Sequence, residues 1–338
     1  MLVLGIETSC DETAAAVVED GRRVLSSAVL TQIVKHRPFG GVVPEIAARA
    51  HVEALPAILD EAVKQAGVSW ERIDGVAVTR GPGLASSLLI GLTAAKALAL
   101  GLGKPMIPVN HLEGHLLSVF LDQECRVSGV EGGMPMLTLL VSGGHTMLVL
   151  VEQIGRYRIL GQTLDDAAGE ALDKGANLLK LGYPGGPAIE KAAEGGNPAF
   201  HKFPRGLEHP KHHAFSFSFS GLKTALLYYL RDHPEFNLRD VAASYQEAVF
   251  DGLLTRAKRA LEAHSAKSFA CVGGVARNKR LRAKLEELAR GHGVELLLAK
   301  PEYCTDNAAM IAGVAAHHAA EGIPPSAALD IDPNLPLV

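Results

Sequence analysis

The chain writes one structural plan twice. "LVLGIETSCDETAAAVVEDGRRVLSSAV" reads as three short strands. An apolar run enters a small-residue turn at Thr8-Ser9-Cys10, a second strand returns, and a third follows a Gly. "MLTLLVSGGHTMLVLVEQIGRYRILGQT", Met136 to Thr163, has the same layout, with its turn at Ser142-Gly143-Gly144. The parallel continues downstream. In the first half a helix over about 44–66 leads to the strand "GVAVTRG", a helix over 84–100, the strand "MIPV" and a helix opening at His111. In the second half a helix over about 238–263 leads to "FACVGG", a helix over 278–290, the strand "VELLLA" and a helix opening near Thr305. Strand–helix alternation of this kind predicts parallel pairing with right-handed crossovers.

Two βββαβαβα halves predict an α/β fold of the duplicated type shared by actin, the Hsp70 ATPase domain and the sugar kinases, the RNase H-like ASKHA class. It has two lobes and a ligand cleft between them. The expected first lobe is 1–131, joined by the C-terminal helix, 305–338; the second is 132–304, with an insertion at about 165–236 rich in Gly, Pro and His. A length of 338 residues suits two domains, and 5% aromatic content predicts an aliphatic core. A net charge of −4 argues against a strongly basic nucleic-acid binder and leaves local basic patches open. Cys10, Cys125, Cys271 and Cys304 form no Cys-x-x-Cys pair, so neither a disulfide framework nor a thiolate zinc knuckle is expected. The chain enters its first strand without a charged leader, and no apolar run reaches the roughly 20 residues a bilayer needs. The expectation is a soluble, cytoplasmic protein with no membrane association.

"LVSGGHT" places Ser142, Gly143 and Gly144 at a strand–strand turn, which fits a plain hairpin or a nest of amides for a phosphate. "CVGGVARNKRLR" ends a strand on Gly273-Gly274 and puts Asn278 in the first turn of a basic helix, suited to a base or ribose. Asp173, ten residues before the tight turn "YPGGP", is either a ribose acceptor or a solvated helix residue. No Gly-x-x-x-x-Gly-Lys-Ser/Thr loop is present, which excludes a P-loop NTPase. Asp11 and Glu12 put two carboxylates where an actin-like ATPase would hold its outer phosphates, a repulsive arrangement unless a cation intervenes. They read equally as solvated turn residues.

In "VNHLEGHLLSVFL", Asn110 is an N-cap candidate and Leu112, Leu116, Val119 and Phe120 form a core face. His111 and His115, at i and i+4, share a face and suit one divalent metal. Gly114 carries a helix penalty of roughly 1 kcal/mol, which marks a place of close approach. A zinc peptidase places its Glu directly after the first His. Here Glu113 lies about 200° around the helix from His111, so the pair lacks that general base. Asp306, at the start of the second-half counterpart helix, completes a His₂Asp set on the expected two-fold between the halves. Nitrogen and oxygen donors fit iron or zinc and argue against calcium.

"GIETSCDETA", "GGVVPE", "GPGL", "HLEGH", "LVSGGHT", "DDAAGEALDK", "YPGGP", "FSFSGLKT", "GGVARN" and "CTDNAAMIA", in this order, resemble the bacterial TsaD/Gcp (YgjD) family over almost the whole chain. The resemblance implies transfer of threonylcarbamoyl from threonylcarbamoyl-AMP to N6 of the adenosine 3′ of the anticodon, in tRNAs reading codons that begin with A. It implies His111, His115 and Asp306 as metal ligands, with Fe(II) the usual metal and Zn the other option. It implies Leu140, Val141, Ser142, Gly143, Gly144, Asp173, Gly186 and Asn278 as the adenylate site, with Glu190 a further ribose contact. TsaB-like and TsaE-like partner proteins are implied as well.

Two departures stand out: the tail "DIDPNLPLV" lacks the basic and aromatic residues common in relatives, and Asn177 replaces a frequent Lys. Asp11 or Glu12 is the candidate proton acceptor for N6. Lys35, Arg37, Lys202, Arg205 and Lys211 are candidate tRNA contacts. The competing readings are an actin-fold ATPase or sugar kinase, a metallo-endopeptidase, and a non-catalytic assembly subunit.

Overall fold

A computed structural model of the chain describes residues 1–122, 133–207, 213–320 and 328–338. Two compact units emerge. One combines Met1–Arg126 with Ala299–Val338; the other is Val127–Leu298.

The first unit opens with β1 (Leu2–Glu7), β2 (Glu12–Glu19) and β3 (Arg23–Thr31), followed by a single turn, α1 (Ile33–His36), and the long α2 (Pro44–Ala66). Then come β4 (Gly75–Gly81), α3 (Ala85–Leu102), β5 (Met106–Asn110) and α4 (His111–Leu117). The sheet order is β3-β2-β1-β4-β5. The β1–β2 and β2–β3 pairs are antiparallel, whereas β4 runs parallel to β1 and β5 parallel to β4. Strand β1, "LVLGIE", is buried at every position, including Glu7. Leu4, Ile6, Val17, Val76, Val78 and Leu92 belong to one aliphatic core. Helix α3 is long and apolar enough to cross a membrane by length and composition alone. It buries Ser87, Leu88, Gly91, Leu92, Ala95 and Ala99 and packs on β4 and α2 as a layer of this domain.

The second unit repeats the order: β6 (Met136–Val141), β7 (Thr146–Gln153), β8 (Arg156–Gln162), then α5 (Ala168–Leu178), α6 (Gly185–Ala192) and α7 (Ser220–Asp232). It continues with α8 (Leu238–Ala263), β9 (Ser268–Val272), α9 (Lys279–His292) and β10 (Glu295–Leu298). Its sheet, β10-β9-β6-β7-β8, reproduces the first sheet with the same pattern of parallel and antiparallel pairs. The described residues of the segment expected as an insertion, about 165–236, form three helices, α5, α6 and α7.

The chain then returns to the first unit through α10 (Pro301–Cys304) and α11 (Ala308–Ala320). Helix α11 lies on β1, β2 and α4. Small residues allow that approach. A methyl on Gly5 would sit 2.3 Å from the Ala308 carbonyl oxygen, and one on Gly114 would sit 3.0 Å from Ile311 Cδ1. The glycine inside the histidine helix is therefore where α11 presses against it.

Candidate active site

Strand β5 ends at Asn110, whose side-chain oxygen accepts from the backbone N–H groups of Leu112 and Glu113 at 2.9 and 3.4 Å. That cap starts α4 at His111 and fixes the direction of both histidines. His111, His115 and Asp306 each offer one ligand atom, all within 4.8 Å of one another. His115 Nε2 lies 3.0 Å and His111 Nε2 3.6 Å from the same oxygen, Asp306 Oδ1. The rings meet edge to face with centroids 4.7 Å apart. All three residues belong to the first unit, because segment 299–338 packs there, whereas duplication alone put the cluster on a two-fold between the halves.

Glu7 is the residue that sequence reasoning missed. It is fully buried, and its Oε2 lies 3.0 Å from His111 Nδ1. Thr79 donates to the same oxygen at 2.6 Å. A carboxylate only accepts, so His111 carries its proton on Nδ1 and leaves Nε2 to face Asp306. Carboxylate–histidine pairs of this kind orient metal ligands. The signal in the sequence was a charged residue closing an otherwise apolar buried strand, which requires a partner.

Burial works against a charged His111, but the carboxylates of Asp306 and Glu7 override it and push its pKa up to about 9. The same burial would raise Glu7, and His111 holds it below the ordinary carboxylate range. The carboxylates of Glu7 and Asp306 thus put negative charge on both sides of His111, a field that favours a bound cation. Imidazole and carboxylate donors match iron or zinc.

Glu113 is buried and directed elsewhere: its Oε2 lies 2.8 Å from His318 Nε2 on α11. The peptidase base is thus committed to a different pair. Asp11 and Glu12 close the β1–β2 turn. Burial first, then the charges of Asp306 and Asp11, push the Glu12 carboxyl well above its usual range.

The remaining candidates lie in the second unit. Ser142 N donates to His145 O at 2.8 Å, and His145 N returns to Ser142 Oγ at 3.0 Å, closing the "SGGH" turn. Leu140 and Val141 are buried strand residues beneath it. Methyls on Gly143 or Gly144 would meet nothing within 4 Å, whereas one on Gly169 would sit 2.6 Å from Ser142 O. The turn is therefore open on one side and held by α5 on the other.

Asp173 Oδ1 accepts from Gly185 N at 2.6 Å, next to Gly186. Glu190 accepts from Lys279 N at 2.7 Å. Asn278 caps α9 through Leu281 N and donates to Gln246 at 2.8 Å. Glu190, Gln246, Glu247, Lys279 and Arg280 line a cavity of about 320 Å³. Lys279 and Arg280 belong to the basic helix that Asn278 opens, whereas Gln246 had no signal of its own in the sequence.

Among the basic candidates, Lys35 pairs with Glu53 at 3.4 Å and Arg205 with Asp251 at 3.0 Å. Lys211 lies outside the described residues.

Two lobes of this topology define the duplicated ATPase-type fold of actin, Hsp70 and the sugar kinases. Among solved structures, the (R)-2-hydroxyglutaryl-CoA dehydratase component A of Acidaminococcus fermentans matches with a TM-score of 0.54. That match has 16% identity over 95% of this chain and 99% of the other. The family is narrower. The model for TsaD, tRNA N6-adenosine threonylcarbamoyltransferase, matches residues 23–313, and the chain belongs to this family. A relative of that name from Geobacter sp. (strain M21) is 50% identical over 340 residues, covering 100% of this chain and 97% of its own. Another, from Syntrophobacter fumaroxidans, is 51% identical over 324 residues, covering 93% of each chain.

Proposed function

We propose that this chain transfers the threonylcarbamoyl group from threonylcarbamoyl-AMP to N6 of the adenosine 3′ of the anticodon, in tRNAs reading codons that begin with A. The observation that carries the reading is 50% identity to a relative named for this activity, across the whole chain. The ATPase and sugar-kinase readings share the fold, but their Mg²⁺ chemistry calls for oxygen ligands, not a His₂Asp set.

His111, His115 and Asp306 would hold one metal ion, iron or zinc. Bound there, the metal supplies Lewis-acid polarisation of the threonylcarbamoyl carbonyl. Glu7 keeps the His111 Nδ1 proton and so keeps Nε2 directed into the cluster. Asp11 and Glu12, at the β1–β2 turn, are the two candidate proton acceptors for the adenine amine. In the Ser142–Gly144 turn the Ser142 amide is given to His145 O, and the Gly143 and Gly144 amides receive the charge that develops on the departing AMP. Asp173, Gly186, Glu190 and Asn278 surround its nucleoside. TsaB-like and TsaE-like proteins complete the system with tRNA.

The test uses labelled threonylcarbamoyl-AMP, an ANN-decoding tRNA and the partner proteins. Wild type labels the tRNA and His111→Ala loses at least about 100-fold. No product with wild type overturns the function, and equal product from His111→Ala removes the metal from it.

A further inference from the structure

The C-terminal segment runs along the rim of the histidine–aspartate cluster. Leu329 and Ile331 pack against the core of the first unit and anchor it. Beyond them a short turn closes on Asp332, which accepts from Leu335 N and Asn334 N, and the backbone also bonds to residues at the carboxyl ends of β4 and β5. Asp332 N donates to Arg80 O at 3.0 Å, and Gly83 N donates to Pro333 O at 3.1 Å. Asn110 Nδ2 donates to Pro336 O at 2.9 Å. Gly81 is kept free of a side chain by this strap, since a methyl there would lie 1.8 Å from Asp332 O.

Two of these contacts, at Asn110 and Gly83, lead to His111 within one or two residues. Asn110 divides its amide: the oxygen caps α4, and the nitrogen reaches the strap. The rotamer that caps the helix is therefore the one the strap holds. On the other side, Gly83 bonds to Pro333, and the next residue, Leu84, donates from its backbone N–H to Ser9 O at 2.8 Å. Ser9 Oγ lies 3.2 Å from His111 Nδ1. The first histidine is thus braced from its helix cap and from its ring nitrogen by one stretch of chain more than 200 residues away in sequence.

We propose that the strap, residues 332–336, is a positioning element of the metal centre and acts chiefly through Asn110. This rests on the metal reading above. Its role differs from general folding support, because Leu329 and Ile331 already supply the apolar anchor, and downstream of them the contacts are hydrogen bonds and the half-buried Leu335 over Gly81.

Three variants separate the strap from the fold. A chain ending at Ile331 removes it. Asn110→Ser keeps an oxygen for the Leu112 and Glu113 amides, since serine caps helices as well as asparagine, but gives up the amide that reaches Pro336. The third combines both changes. The measurements are the zinc dissociation constant, by titrating Zn²⁺ against a competing chelator, and the thermal midpoint of the metal-free protein.

Each variant is expected to bind zinc about tenfold more weakly, the lower end of the range for residues that orient ligands. The metal-free midpoint should remain at the wild-type value, and the combined variant should be no weaker than the truncated chain. Wild-type zinc affinity in either single variant overturns the proposal, as does an additive loss in the combined one. Failure of wild type itself to bind zinc overturns the metal reading and the proposal with it, a result distinct from equal binding by all four proteins.

Discussion

At the scale of single residues, the division of labour among carboxylates organises the first unit. Glu7 and Asp306 contact the imidazoles, Glu12 feels the charge of Asp306, and the three act differently because their partners differ. Glu7 has His111 and Thr79 and holds a proton in place. Asp306 faces both Nε2 atoms. Glu12 has neighbours of its own sign and is pushed toward the neutral form. Replacing Glu7 by Gln keeps the shape but lets the amide present an N–H toward His111 Nδ1. We expect zinc affinity to fall 10- to 100-fold, read by competitive titration, with the fold intact by circular dichroism. The convergence of His111, His115 and Asp306 was legible in the sequence because i, i+4 spacing and the counterpart helix are visible patterns. Glu7 was not, because its role arises from a contact across 104 positions that no window displays.

Elements show the same contrast. Strands and helices of both halves follow from alternation, Gly punctuation and caps, and α2 and α8 keep the bounds that periodicity predicts, 44–66 and 238–263. Helix α11 opens at Ala308, not near Thr305, because Pro301 starts a separate short turn and Asn307 accepts from Met310 N. Which sheet α11 covers could not be read from its own residues, since it is apolar around most of its surface. The complementary signal was spread over glycines at 5 and 114. Gly114→Ala tests this packing. Alanine gains up to about 1 kcal/mol of helix propensity. Its methyl, however, meets Ile311 at 3.0 Å and Met310 at 3.1 Å. Overpacking of this kind costs about 1–3 kcal/mol, so urea unfolding should show a net loss of about 1 kcal/mol.

Across the whole molecule, the two candidate ligand sets divide cleanly by unit. Metal-type donors lie in the first and adenylate-type residues in the second. Hydrogen exchange should display that division. Zinc should slow exchange in β1, α4 and α11, and a non-hydrolysable adenylate analogue should slow it in α5, α6 and α9, since each ligand stabilises the elements it binds. Protection of the second set by zinc alone would contradict it.

The return of the chain to its first unit also sets an order of events. His115 and Asp306 are 191 positions apart. Every strand of the second unit leaves the ribosome before α11 does, so the unit that is synthesised first is the last to be completed, against the usual N-terminal-first sequence. Until α11 arrives, the faces of β1 and β2 that it covers stay open. The entropy of closing so long a loop grows only with the logarithm of its length, which makes the late closure affordable. Assembly of the histidine–aspartate cluster therefore reports that translation has passed α11.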